Sequence, residues 1–377
     1  MRQLPRMMGS VAMVLGLWAG GCQSEGGGGA SQNEEVKPAA QDAAQIVDTW
    51  GRLGYRLGWH SFATLTEAQG QVALVDIDSE SVLAMDNMGA LTRLNPASGQ
   101  HKWSTTVQSG YTQFFADVRI REKVYSMSQS DIYVLDGETG ALRARQRLDR
   151  VAGTRPVRFG DLIVYGTRTG QVVSHLASSG FMAWSYQLNG PIEVAPQAVG
   201  DTAVVAISEA GDVIILDATT GASEGRAKMY AGSGSPPAVT PDTIYVASKD
   251  QSVYAINTVG GAVRWRFRTD VPLTAQPVVH GPNVHIDVPG AGLVAIDTKS
   301  GKRTWVAEGV SGNVINVRNG RLLVWNGREA VLLDAARGDI IERVALPGVQ
   351  MLKADKLVDG SIYAVYAGGQ ISKFVVK

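Results

Sequence analysis

Ala295-Ile-Asp-Thr-Lys-Ser-Gly-Lys-Arg-Thr-Trp305 decides the fold. A short apolar run ends on an Asp, a glycine follows four residues later, and a tryptophan stands four residues beyond that. An early Asp, Asn, Ser or Thr can bond backbone amides two or three residues on and hold a tight turn. The closing glycine can take the positive φ that such a turn needs. The same run ends at Leu94, Leu135, Leu176, Leu216, Ile256, Ile296, Leu333 and Phe374, at spacings of 41, 41, 40, 40, 40, 37 and 41 residues. The closing glycines are Gly99, Gly140, Gly180, Gly221, Gly261, Gly301 and Gly338. Tryptophan follows four of them, as Trp103, Trp184, Trp265 and Trp305, while Ala144, Gly225 and Glu342 stand at the other three. A ring at a fixed place on an outer strand can wedge between neighbouring repeats.

Within one period the pattern is β. Residues 237–269 contain four runs, Ala-Val-Thr, Thr-Ile-Tyr-Val-Ala, Ser-Val-Tyr-Ala-Ile-Asn and Ala-Val-Arg-Trp-Arg-Phe, divided by Pro-Asp, Lys-Asp-Gln and Thr-Val-Gly-Gly. None is long enough for an ordinary helix, and the alternation has period two. Four short strands per forty residues is the signature of a propeller blade. The chain is therefore expected to be all-β, an eight-bladed β-propeller of four-stranded antiparallel blades. Seven units run from about 66 to 346, and the last, 349–377, offers only three strands. An open edge there would invite aggregation. The strand-like segment 54–63, which carries Trp59, is expected to close that last blade from the N-terminal side. Seven blades with a stray C-terminal hairpin is the alternative.

The first residues read as a targeting segment. Arg2 and Arg6 precede an uncharged run from Met7 to Gly21, too short to span a bilayer and suited to a secretory signal. Ala19-Gly20-Gly21-Cys22 follows, and Cys22 is the single cysteine of the 377 residues. Small residues before a lone cysteine resemble the lipobox of bacterial lipoproteins. That resemblance implies cleavage after residue 21 and acylation of Cys22. The Gly-rich, polar stretch after it cannot bury enough surface to order itself, so 22–50 is expected to be a tether, with a short helix over 41–50. The propeller would then occupy 51–377.

Charge and motifs narrow the function. Without residues 1–21 the chain carries 33 basic and 35 acidic residues, which argues against a nucleic-acid binder. There is no Gly-x-Ser-x-Gly, His-Glu-x-x-His, phosphate loop or dinucleotide fingerprint. Asp86, Asp76 and Asp78 read as solvated turn residues. His280 and His285 could hold a metal with Asp287, although ordinary turn and strand roles account for them. Asp212 and Asp250 sit at blade turns without calcium-ligand spacing. No catalytic constellation, metal site or cofactor is expected.

The stretch 295–305 resembles the tryptophan-docking repeat of quinoprotein-like (PQQ-like) propellers, and degenerate copies cover about 53–377. That resemblance brings the quinoprotein dehydrogenases into view as a remote enzymatic reading. The chain is much shorter than those enzymes and has no adjacent cysteines. With its lipobox, tether, eight units and three-stranded last blade, the chain is more similar to the outer-membrane β-barrel assembly lipoproteins of the BamB type. This resemblance implies a non-catalytic, monomeric scaffold on the periplasmic side of the outer membrane or at the cell surface. It implies a protein partner in the barrel-assembly machinery and a membrane hold through Cys22. It also places partner contacts on the inter-blade segment 189–195, at Asn189, Ile192 and Glu193, where Pro191 and Ile192 replace the family's arginine and leucines. The competing reading is a periplasmic or surface propeller for a glycan, peptide or sensor partner. Its contact sites would be the loop 230–236, with Tyr230, the linker 150–155, and Tyr111.

Overall fold

The structure, a computed structural model, describes residues 48–67, 70–108 and 112–377. Cys22, the signal and most of the tether lie outside the described residues, as does Tyr111. Among the described residues, thirty-two strands form eight four-stranded antiparallel sheets, one for each repeat. Blades 1 to 7 span 72–106, 114–147, 157–187, 197–228, 238–268, 278–307 and 313–345. In blade 8 the order is Tyr55–Phe62, Gln370–Val376, Ile362–Tyr366 and Val349–Ala354, so the N-terminal strand closes the ring as expected. The first strands of neighbouring blades touch around the axis, as between blades 1 and 2 and between 7 and 8. Antiparallel order puts the first and third hairpin turns of blades 1 to 7 on one face. The middle turns and the blade-to-blade linkers lie on the other.

Apolar side chains of the two middle strands fill the space between blades. In blade 4, Val204, Val205, Ile214, Ile215 and Leu216 are all buried. These strands are buried on both faces, so their apolar runs are nearly continuous, whereas the outer strands alternate. The expected run 243–247 is observed as Thr243–Ser248, and its partner as Ser252–Asn257.

The repeated turns follow their chemistry. Asp136 accepts from the amides of Glu138 at 3.1 Å and Thr139 at 2.9 Å, and Gly140 takes φ +72°. Glycine has a second reason at this place. A β-carbon on Gly140 would lie 2.6 Å from the ring of Trp103, which belongs to the preceding blade. The indole Nε1 of Trp103 donates to the Gly137 carbonyl at 2.8 Å. Trp184, Trp265 and Trp305 make the same contact with Gly221, Gly301 and Gly338, and donate to the carbonyls of Ala218, Thr298 and Ala335. Trp59 does so too, on Gly99, with Nε1 donating to Pro96 at 3.1 Å across the junction of blades 8 and 1.

Three junctions lack the ring, and each is closed differently. Behind Ala144, Gln146 donates to the Ala177 carbonyl at 2.8 Å, the acceptor an indole uses elsewhere. Behind Gly225 the backbones meet directly, with the Arg226 amide 3.3 Å from the Gly260 carbonyl. At Glu342 the chain ends take over. Residues 48–52 are helical, and Arg52 donates to Glu342 at 2.6 Å. Trp50 stacks on Phe374 with ring centroids 3.9 Å apart. Arg318 of blade 7 donates to the carbonyls of Gly54 at 2.7 Å and Lys377 at 3.0 Å.

Candidate functional site

Two places concentrate chemistry: the axial channel and the face that carries the linkers. In the channel, Asp76 of blade 1 accepts from the guanidinium of Arg155 and from the Asp117 amide at 2.9 Å. Arg155 is thus turned inward from the linker that sequence reading offered as a contact site. Lys353 of blade 8 donates to the Val75 carbonyl at 2.5 Å, and burial lowers its pKa. Asp117 is buried, and neither of its carboxylate oxygens has a hydrogen-bond partner.

The expectation that Asp76, Asp78 and Asp86 are solvated turn residues holds only for Asp78, which accepts from the amides of Glu80 and Ser81, each at 2.7 Å. Asp86 is buried and accepts from Thr66 and Ala90 at 2.7 Å and Met88 at 2.9 Å. It pins the segment entering blade 1 to the first blade's own turn. Amide donors compensate its desolvation, which is how a carboxylate survives burial.

Burial pushes the Asp117 carboxyl up to about 7, and the Asp76 carboxylate acts in the same direction. Its proton is held more tightly in the folded state, so its contribution is greatest at low pH and is lost as pH rises toward 7. His285 has the opposite sign, because burial lowers it from 6.5 to about 4 and its contribution is lost as pH falls through that range. Asp117→Asn should therefore gain thermal midpoint on the wild type as pH rises from about 4 to about 7. His285→Gln should gain on it as pH falls from 6.5 to about 4. Melts across that range check both, and a difference that does not vary with pH would contradict the assignment.

His285 and the turn acids have structural partners. His285 packs on Trp305 with centroids 5.4 Å apart, and its Nδ1 faces the Val278 carbonyl at 3.3 Å. Asp287 accepts the Gly312 amide at 2.8 Å. Asp212 pairs with Lys228 at 2.7 Å, and Asp250 accepts from Tyr254 at 2.6 Å. Among the described residues no group of three or more His, Cys, Asp or Glu side chains is placed to hold a metal.

On the linker face, the segment 189–195 is seated by its middle. Ile192 is 0% exposed and packs against Gly166, and its amide bonds the Thr167 carbonyl at 3.0 Å. Asn189 and Glu193 are exposed, with Ile192 anchoring the linker beneath them. Glu193 lies 3.8 Å from Lys249, which also pairs with Glu209 at 2.7 Å. In the loop 230–236, Ser233 and Ser235 are buried, and Ser233 donates to the carbonyls of Ser235 and Ala247. Tyr230 is 82% exposed and lies against the Arg266 guanidinium, 4.9 Å from its ring centroid.

A family model described as outer membrane protein assembly factor BamB matches residues 128–224 and 209–355. The protein of that name from Bordetella pertussis is 28% identical over 158 residues, spanning 41% of this chain and 40% of the relative. The crystal structure of BamB from Moraxella catarrhalis superposes with a TM-score of 0.67 at 17% identity, covering 84% of this chain and 98% of that one. The quinohemoprotein alcohol dehydrogenase of Comamonas testosteroni gives 0.64 at 12% identity, covering 88% and 77%. At such identities both superpositions speak to the fold alone. The family model extends from the second blade into the eighth, and on that match the chain belongs to the BamB family of PQQ-like propellers.

Proposed function

We propose that the protein is a non-catalytic scaffold for outer-membrane protein assembly, tied to the periplasmic side of the outer membrane through acylated Cys22. The signal would be 1–21, the tether 22–50 and the binding body 51–377. The observation that carries the reading is the family match over 128–355. The closed ring supports it physically. A closed ring of blades leaves only short sheet edges and holds its loops rigidly, so the linkers can present side chains in fixed places. Asn189 and Glu193 are the proposed contacts for the partner.

The test is co-purification from the native membrane after mild crosslinking, with partners identified by mass spectrometry. Wild-type protein is expected to bring down a barrel-inserting outer-membrane protein, and Cys22→Ser to lose most of it. A single acyl chain binds a bilayer only marginally and two anchor it stably, so losing the acylated cysteine should release the scaffold. Recovery of a different stoichiometric partner, or of cell-wall glycan without protein, would overturn the proposal.

A further inference from the structure

Between blades 2 and 3, on the face that carries the first and third hairpin turns, lies a cleft of about 510 Å³. Arg121, Lys123 and Tyr125 of blade 2 line it from one side, and Arg158, Asp161 and Ser178 of blade 3 from the other. Two small residues leave it open. Between blades 1 and 2, Arg93 sits opposite Trp103 in the sheet and crosses the junction, donating to the Gly137 carbonyl at 2.6 Å and to Glu138 at 3.0 Å. The matching pair in blade 2 is Val134 opposite Ala144. Neither is long enough to cross to Ser178, which holds in blade 3 the place of Glu138 in blade 2.

Arg121 is held against its backbone preference. It stands at φ +56°, a left-handed conformation that a long side chain rarely adopts. The matching two-residue turns of blades 3 and 6 have Gly160 and Gly281 there, each at φ +57°, and blade 7 has Asn319 at φ +48°. An arginine thus stands where the other turns use residues that suit the conformation. Strain kept at one copy of a repeated turn points to a use for its side chain.

The charges around the cleft are unspent. Arg119 is paired with Glu80 and Glu138, whereas among the described residues Arg121 and Lys123 form no ion pair. Arg158 is held at the rim by its Nε, which donates to the Gly160 carbonyl at 2.8 Å, and it has no acidic partner among the described residues. The acids of the lining are Glu122, which is exposed, and Asp161. Asp161 accepts from the hydroxyl and the amide of Ser178 through Oδ2, which leaves Oδ1 as an acceptor. Tyr125 is buried, and Asp161 and Arg121 both act on its hydroxyl.

We propose that this cleft binds a phosphorylated sugar, free or as the headgroup of a glycolipid, with Arg121 and Arg158 on the phosphate and Asp161 on the hydroxyls. Guanidinium groups take phosphate oxygens in paired, charge-assisted hydrogen bonds. A bare anion would leave Asp161 facing like charge, whereas a hydroxylated one gives it a donor. The volume falls within the range of about 300–1,000 Å³ that small-ligand sites occupy. The cleft opens on the face opposite the linkers, so it stays accessible when a partner occupies Asn189 and Glu193.

The probe is glucose 1-phosphate, titrated by calorimetry into the full chain purified in mild detergent. Inorganic phosphate and glucose should each bind more weakly by about tenfold or more, the scale of losing charged hydrogen bonds. Arg121→Gly should weaken glucose 1-phosphate to the same extent yet melt no lower than wild type, because glycine relieves the turn. Arg158→Gln should weaken it similarly, and Lys299→Gln, an exposed cation of the same face in blade 6, should bind as wild type does. A second arm titrates a detergent-dispersed glucosamine glycolipid with and without its phosphate. Binding of the phosphorylated form alone, with the same dependence on Arg121 and no response to glucose 1-phosphate, would assign the headgroup as the source. Equal binding by Arg121→Gly would overturn the proposal. So would equal binding of inorganic phosphate, which would mark an adventitious anion site only, and so would failure of both glucose 1-phosphate and the phosphorylated glycolipid to bind.

Discussion

Trp103→Ala is expected to destabilise the propeller by about 3–5 kcal/mol, the range for deleting a large buried aromatic side chain. The ring is buried between blades 1 and 2, and its atoms come as near as 2.6 Å to where a β-carbon on Gly140 would stand. The loss should come from the vacated volume rather than from a stranded acceptor. The Gly137 carbonyl that takes the indole proton also accepts from Arg93 at 2.6 Å, so it stays paired after the deletion. Gly140→Ala tests the same junction from the other side. In the wild type it meets both the ring and an unfavourable φ of +72°, whereas in the Trp103→Ala background only the backbone cost of about 1–2 kcal/mol remains. A double-mutant cycle by urea denaturation should therefore show strong coupling. Simple additivity would mean that the ring and the turn do not depend on one another.

Trp50→Ala is the second large effect, again about 3–5 kcal/mol by the same reasoning. Trp50 is buried, stacks on Phe374, and meets Tyr55 edge-on with centroids 6.3 Å apart. It belongs to an apolar cluster that joins blades 7 and 8 where the two ends of the chain meet. The closing strand Tyr55–Phe62 is held in the sheet by pairing with Gln370–Val376 alone. Loosening its anchor should speed amide exchange over 55–62 relative to blades 3 to 5, in addition to lowering the thermal midpoint. Uniform exchange rates across the ring would show that the helix at 48–52 contributes packing but does not hold the closure.

Most of the architecture could be read from local chemistry. The turn Asp136 to Gly140 needs only its own residues to form, so its recurrence counts the blades without reference to any partner. The strand alternation in 237–269 is likewise local. Closure of blade 8 from the N-terminal side followed from counting strands, because one blade lacked a fourth strand and one spare segment preceded the first blade. Trp59 was visible in that segment, yet its docking on Gly99 was not. It stands 44 residues before Trp103, against 40 between Trp265 and Trp305.

The candidate site was far less legible. Nothing in the linker 189–195 marks Ile192 as its buried anchor, because a single apolar residue beside Pro191 has no periodicity to place it. Asp76, Asp86 and Asp117 look alike in sequence, and their environments diverge in the fold. Asp86 meets three amides, Asp76 meets an arginine 79 residues away, and the Asp117 carboxylate oxygens meet no hydrogen-bond partner.

The sequence by itself determined the blade, its repeat number and the glycine at each docking turn, because turn dihedrals and strand alternation are set by neighbours within about ten residues. Only the tertiary structure decided how Gln146, Gly225 and Glu342 close the junctions that lack a ring, and which acids are buried. Those outcomes depend on side chains brought together from different blades, in the case of Arg52 and Glu342 across 290 residues of chain, once the ring has closed.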